Sequence, residues 1–115
     1  MTNAHPILVV EDEFLIALDI VAALENAGLP VVGPASTVRD ALAAIESGPL
    51  RGALLDAHLG GESAGRIADV LISRGLPFVF VSGYGRESLP ASHNGAPLVR
   101  KPFSDQEILA AVAGF

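Results

Sequence analysis

Short apolar runs alternate along this chain with longer stretches of helix-forming residues, and that alternation is the first guide to its architecture. Residues 6–10 (PILVV) are apolar and β-branched, the pattern of a strand buried on both faces rather than one with a solvated side. Residues 14–27 are rich in Leu, Ala and Ile and free of Pro and Gly, and Gly28 stands where a helix-terminating glycine belongs. Residues 31–35 (VVGPA) predict a weaker strand, because Pro34 cannot donate to a ladder and fits only an edge or a frayed end. Thr37 then caps a helix to about residue 47, broken by Gly48-Pro49. Residues 51–56 read as a strand and residues 63–74 as a helix that tolerates Gly65 and stops at Gly75. Residues 78–82 (FVFVS) form the plainest strand of all. Residues 83–96 are dominated by Gly, Pro, Ser and Asn without an apolar period, which predicts a loop holding at most one or two helical turns. A short strand at residues 98–99 follows, and Ser104-Asp105-Gln106-Glu107 is a capping-box signature for a last helix to about residue 113.

Apolar strands alternating with helices imply a parallel sheet covered on both faces, and right-handed crossovers leave few topologies open. The expectation is a doubly wound, five-stranded α/β domain whose fourth helix is shortened or irregular. In such sheets the ligand crevice lies beyond the carboxyl ends of the strands, where the strand order reverses.

The residues at those ends carry the chemistry. Glu11, Asp12 and Glu13 follow the first strand, Asp56 closes the third, Ser82-Gly83-Tyr84 the fourth, and Arg100-Lys101-Pro102 the fifth. Any one of these alone reads as solvated punctuation. Together they converge, and like charges about 4 Å apart repel by roughly 4 kcal/mol at an effective dielectric of 20. A carboxylate cluster at one crevice therefore calls for a cation, and Mg²⁺ suits it by taking one or two carboxylates while keeping positions for water and a phosphoryl oxygen. Lys101 is the only lysine, the other six bases being arginine, and its place lets it pair with Asp56 or with a phosphoryl group carried there. Asp56 is then the candidate nucleophile and Ser82 a hydroxyl donor to a second phosphoryl oxygen.

Composition narrows the alternatives. The chain has 115 residues, enough for about one domain. Its net charge of −6, from 13 acids and 7 bases, argues against nucleic-acid or anionic-membrane surfaces. No apolar run approaches the ~18 residues of a membrane span, and the first residues lack a basic segment followed by an apolar one, so a soluble, cytoplasmic protein is expected. The absence of cysteine excludes disulfides and thiolate metal sites, and His5, His58 and His93 are too scattered for a zinc site.

Val-Val-Glu-Asp-Glu at 9–13, Leu-Leu-Asp at 54–56, Val-Ser-Gly at 81–83 and Lys-Pro-Phe at 101–103, in this order and each closing a predicted strand, resemble the receiver domain of two-component response regulators. The resemblance covers essentially the whole chain and implies one receiver domain over 1–115, flavodoxin-like, with strand order 2-1-3-4-5. It also implies phosphoryl transfer to Asp56 from a phosphohistidine of a sensor histidine kinase or phosphotransfer protein, followed by self-catalysed hydrolysis. Glu11 and Asp12 would form the metal-binding pair, joined by the Asp56 carboxylate and the backbone carbonyl of His58. Ser82 would be the switch hydroxyl, and Lys101-Pro102 would be a cis peptide.

The pattern also departs from the family. Leu98 stands where receivers usually carry a switching aromatic, and Tyr84 is the replacement expected here, since Phe-Val-Ser-Gly-Tyr-Gly resembles the Phe-Ala-Thr-Gly-Tyr segment of a stand-alone receiver subgroup. Gly60-Gly61 replaces the usual proline after the acceptor and predicts a more mobile loop. The His58 side chain is expected to line the rim of the site. The first helix is apolar nearly all round, so Leu15 and Ile16 are candidate contacts for a kinase's helical phosphotransfer domain.

The leading expectation is a phosphorylatable switch whose output is contact with a downstream protein, with no effector domain after Phe115. It is not an enzyme apart from its own phosphotransfer and dephosphorylation. A non-phosphorylated receiver-like adaptor is the alternative. An aspartyl-phosphate phosphatase fits less well, because such enzymes place an acid where His58 stands. A flavin or nucleotide site fits poorly too, because Glu11-Asp12-Glu13 would repel a phosphate at the first strand.

Overall fold

The computed structural model describes residues 4–115; residues 1–3, counted in the expected domain, lie outside the described residues. Strands β1 (Ile7–Val10), β2 (Val31–Ala35), β3 (Gly52–Asp56), β6 (Phe78–Ser82) and β7 (Leu98–Arg100) form one parallel sheet in the order β2-β1-β3-β6-β7. This is the expected 2-1-3-4-5 arrangement, with the order reversing between β1 and β3. Between β3 and β6 the chain inserts a small antiparallel hairpin, β4 (His58–Leu59) and β5 (Glu62–Ser63).

Alternation along the strands divides the core in two. Leu8, Val10, Ala53, Leu55 and Phe80 face one side, where helices α2 (Val38–Glu46) and α3 (Gly65–Ser73) cover them with Ala41, Ile45, Ile67 and Leu71. Ile7, Val9, Leu54, Val79 and Val81 face the other, under α1 (Phe14–Asn26) and α4 (Asp105–Val112), which contribute Ile20, Leu24, Ile108 and Val112. Strands apolar on both faces thus match a sheet buried on both faces.

The local signals act as their chemistry requires. Thr37 Oγ1 accepts from the Asp40 N–H at 3.0 Å, and Ser104 and Glu107 complete a reciprocal capping box. β2 with its Pro34 lies on the sheet edge, where a missing donor is tolerated. Gly33 there has φ +104°, and a Cβ would stand 2.7 Å from the Val9 carbonyl oxygen, so only glycine fits. Both Gly33-Pro34 and the expected Lys101-Pro102 bond are cis. Residues 83–96 hold two 3₁₀ turns, Arg86–Ser88 and Ala91–His93, in place of a full helix, as their composition predicts.

The hairpin was not foreseen. Its turn is Gly60-Gly61, at φ +56° and +90°, and positive φ at both central residues is what a tight two-residue hairpin turn of the primed kind demands. This turn folds Leu59 into the core.

Candidate functional site

Register places the reactive residues together. Val10 lies opposite Leu55, Asp56 opposite Val81, and Ser82 opposite Arg100, so Glu11, Asp56, Ser82 and Lys101 emerge side by side at the carboxyl ends of four strands. Asp56, Ser82 and Lys101 open on a cleft of about 520 Å³ that Asp12, Glu13, His58, Gly60, Gly61 and Tyr84 also line, with Glu11 buried behind it.

Three acids meet one ammonium. Lys101 Nζ lies 2.9 Å from Glu11 Oε1, 3.3 Å from Glu13 Oε1 and 3.6 Å from Asp56 Oδ2. The expected pairing of Lys101 with Asp56 is therefore shared, and Glu11 holds the shortest contact. Glu11 is fully buried at the end of β1; its Oε2 accepts the Glu13 N–H at 3.2 Å. Despite the near ammonium, Glu11 Oε1 makes no well-oriented hydrogen bond, the one such buried side-chain atom among the described residues. Asp12 is exposed and accepts the Gly60 N–H at 2.8 Å, which ties the hairpin turn to the acid cluster. Asp56, only 7% exposed, accepts the His58 N–H at 3.3 Å.

The charges compete. Burial pushes the Asp56 carboxyl up to about 8, and Glu11 beside it adds to the rise against the pull of Lys101. For Asp12, burial works upward, but the Gly60 N–H and the neighbouring carboxyls outweigh it and the value falls below the ordinary range. Burial works to lower the Lys101 value, yet the Glu11, Asp56 and Glu13 carboxylates together raise it. One ammonium cannot balance this many carboxylates. Glu11, Asp12 and Asp56 offer oxygens within 4.8 Å of one another, and this hard-oxygen donor set fits a divalent ion such as Mg²⁺.

On the opposite wall, the buried Ser82 Oγ accepts the Tyr84 N–H at 3.1 Å and lies 3.1 Å from Ser88 Oγ. Tyr84 is 70% exposed at the mouth of the cleft, and Leu98 is half-buried against the core. The first helix presents Phe14 and Leu15 to solvent, 69% and 74% exposed, with Leu18 beside them. Ile16 is half-buried against the α1–α4 core and lines a hollow with Glu13, Lys101 and Phe103. Sequence reasoning missed Phe14 and Leu18, which the i, i+4 spacing from Phe14 could have added. It also missed Ser88, and the hydrogen bond between His93 Nε2 and Asp69 Oδ1 at 2.7 Å that fastens residues 91–93 to α3. Both are contacts of an irregular segment, and no periodic pattern announces them.

No family model matches the chain. Among solved structures, SdrG from Sphingomonas melonis Fr1 is 38% identical, with a TM-score of 0.86 over 98% of this chain and 97% of that one. A CheY-like response regulator receiver domain protein from Methanospirillum hungatei JF-1 is 25% identical, with a TM-score of 0.83 over 97% and 93% of the two chains. The chain belongs to the response regulator receiver family. The phyllosphere-induced regulator PhyR of Methylorubrum extorquens is 32% identical over 114 residues, which make up 96% of this chain. The chain spans 43% of the length of that curated relative. Within the receiver family its acid cluster stands at the expected strand ends, and among the described residues no helix is long and apolar enough to cross a membrane.

Proposed function

We propose that this receiver accepts a phosphoryl group on Asp56, from a phosphohistidine of a sensor histidine kinase or phosphotransfer protein, and signals by contact with a downstream protein. The observation that carries the reading is the buried carboxyl of Asp56, flanked by Lys101 Nζ at 3.6 Å and by the Glu11 and Asp12 carboxylates, and opening on a cleft. A carboxylate oxygen of Asp56 attacks phosphorus. The new P–O bond forms as the P–N bond breaks, and the electron pair returns to the imidazole nitrogen, which takes a proton from water.

Each neighbour has a task in that step. Glu11, Asp12 and Asp56, with the backbone carbonyl of His58, would hold Mg²⁺. When bound, that ion supplies the charge that lets the carboxylates ionise together and a Lewis-acid contact for a phosphoryl oxygen. Lys101 neutralises charge on the transferred group, and Ser82 donates its hydroxyl to another phosphoryl oxygen. Hydrolysis later returns Asp56 to its free form, so the protein turns over its own modification and no other substrate. Tyr84, bonded through its N–H to Ser82 Oγ, reports the change at the mouth of the cleft. Phe14 and Leu15, together with part of Ile16, form the apolar surface on α1 that meets the phosphodonor's helices.

Phosphoramidate, whose P–N bond imitates phosphohistidine, tests the reading. With Mg²⁺ it should give a hydroxylamine-labile acyl phosphate, seen by ³¹P NMR in the wild type and missing from Asp56→Asn. An unmodified wild type, or a signal surviving in the variant, would overturn the assignment.

A further inference from the structure

The proton count around Ser82 reveals a restraint on the switch hydroxyl. Ser88 Oγ lies 2.7 Å from the Gly85 carbonyl oxygen, which can only accept, so the single Ser88 hydroxyl proton goes to Gly85. The 3.1 Å contact between the two serine oxygens must then use the proton of Ser82. Ser82 Oγ meanwhile accepts from the Tyr84 N–H. Its donor is thus engaged by Ser88, in the 3₁₀ turn Arg86–Ser88, and is turned away from any group on Asp56.

We propose that Ser88 is a positioning residue that latches the Ser82 hydroxyl in the resting state and sets the threshold for switching. The inference rests on the phosphoacceptor reading of Asp56. For Ser82 to donate to a phosphoryl oxygen, its proton must leave Ser88 Oγ. Ser88 then keeps only its bond to Gly85, and the turn loses its side-chain link to the sheet. The sequence spacing supports the device: Ser82 ends β6 and Ser88 ends the first turn of the irregular segment, so the latch joins the site to the part of the fold that replaces a regular helix. Arg86 braces the same segment from the far side, donating to the carbonyl oxygens of Asn94 at 3.0 Å and Ala96 at 2.6 Å. Loss of the Ser82–Ser88 bond therefore has a defined neighbour through which to act.

Removing the latch should make activation easier. Beryllofluoride with Mg²⁺ imitates a phosphoryl group on an aspartate, and its apparent affinity can be followed by ¹H–¹⁵N NMR. Ser88→Ala should bind it about three- to tenfold more tightly than wild type, the effect of one ordinary hydrogen bond. Ser88→Thr, which keeps the hydroxyl, should match wild type. In a Ser82→Ala background, Ser88→Ala should change nothing, because the latched proton is already gone. Unchanged or weaker binding by Ser88→Ala, or an effect persisting without the Ser82 hydroxyl, would overturn the latch while leaving Asp56 as acceptor. Absence of binding by the wild type itself would overturn the phosphoacceptor reading and the latch with it.

Discussion

Lys101 Nζ stands 2.9 Å from Glu11 Oε1, the shortest of its three carboxylate contacts and one made to a fully buried group. The only lysine of the chain therefore balances a buried charge before it meets any ligand. Lys101→Ala should destabilise the metal-free protein by about 3–5 kcal/mol, since removing one partner leaves buried carboxylates uncompensated. Saturating Mg²⁺ should recover part of that loss. Urea unfolding in EDTA and in Mg²⁺ measures both; a variant as stable as wild type in EDTA would show that Lys101 balances nothing.

A second consequence concerns pH. The folded value of Asp56, about 8, lies above the ordinary 3.8, so the folded state holds this proton more tightly than the unfolded chain. The contribution to stability is complete below pH 3.8 and is lost as pH rises through about 8. Asp56→Asn is neutral throughout. In EDTA it should match wild type near pH 4 and exceed it by about 1–3 kcal/mol at pH 9. Urea midpoints across this range test the sign; a wild type more stable than the variant at pH 9 would refute it.

The hairpin gives a third. Gly61 at φ +90° has open space around a would-be Cβ, so Gly61→Ala meets only backbone strain and should cost about 1–2 kcal/mol. Because the same turn donates the Gly60 N–H to Asp12, Mg²⁺ affinity should fall as well. Isothermal titration with Mg²⁺ reads this, and full retention of affinity would separate the turn from the acid cluster.

Much of this structure is legible in the chain. The wholly apolar strands, Gly28, Thr37 and the Ser104–Glu107 box each act locally, and the fold follows them. The acids after β1 and β3 are legible for the same reason: strand ends in a parallel sheet converge whatever the details. The hairpin was missed because two-residue strands have too little pattern to register, although Gly60-Gly61 marked a turn. The Ser82–Ser88 and His93–Asp69 contacts were missed because they are set by how an irregular segment lies on the core.

The apolar surface of α1 yields a fourth prediction. Leu15→Glu changes an exposed position and should leave stability within about 0.5 kcal/mol while slowing transfer from a protein phosphodonor. Ile16→Glu puts a charge on a half-buried position and should destabilise the fold itself. Transfer from acetyl phosphate should be unaffected in Leu15→Glu; equal slowing with both donors would count against docking on this face.

The most direct test of the central claim is intact-mass measurement after incubation with acetyl phosphate, with and without Mg²⁺. The account predicts one phosphoryl adduct on the wild type that requires the metal and disappears in Asp56→Asn. A wild type that stays unmodified in Mg²⁺, or an adduct of equal yield in Asp56→Asn, would contradict it.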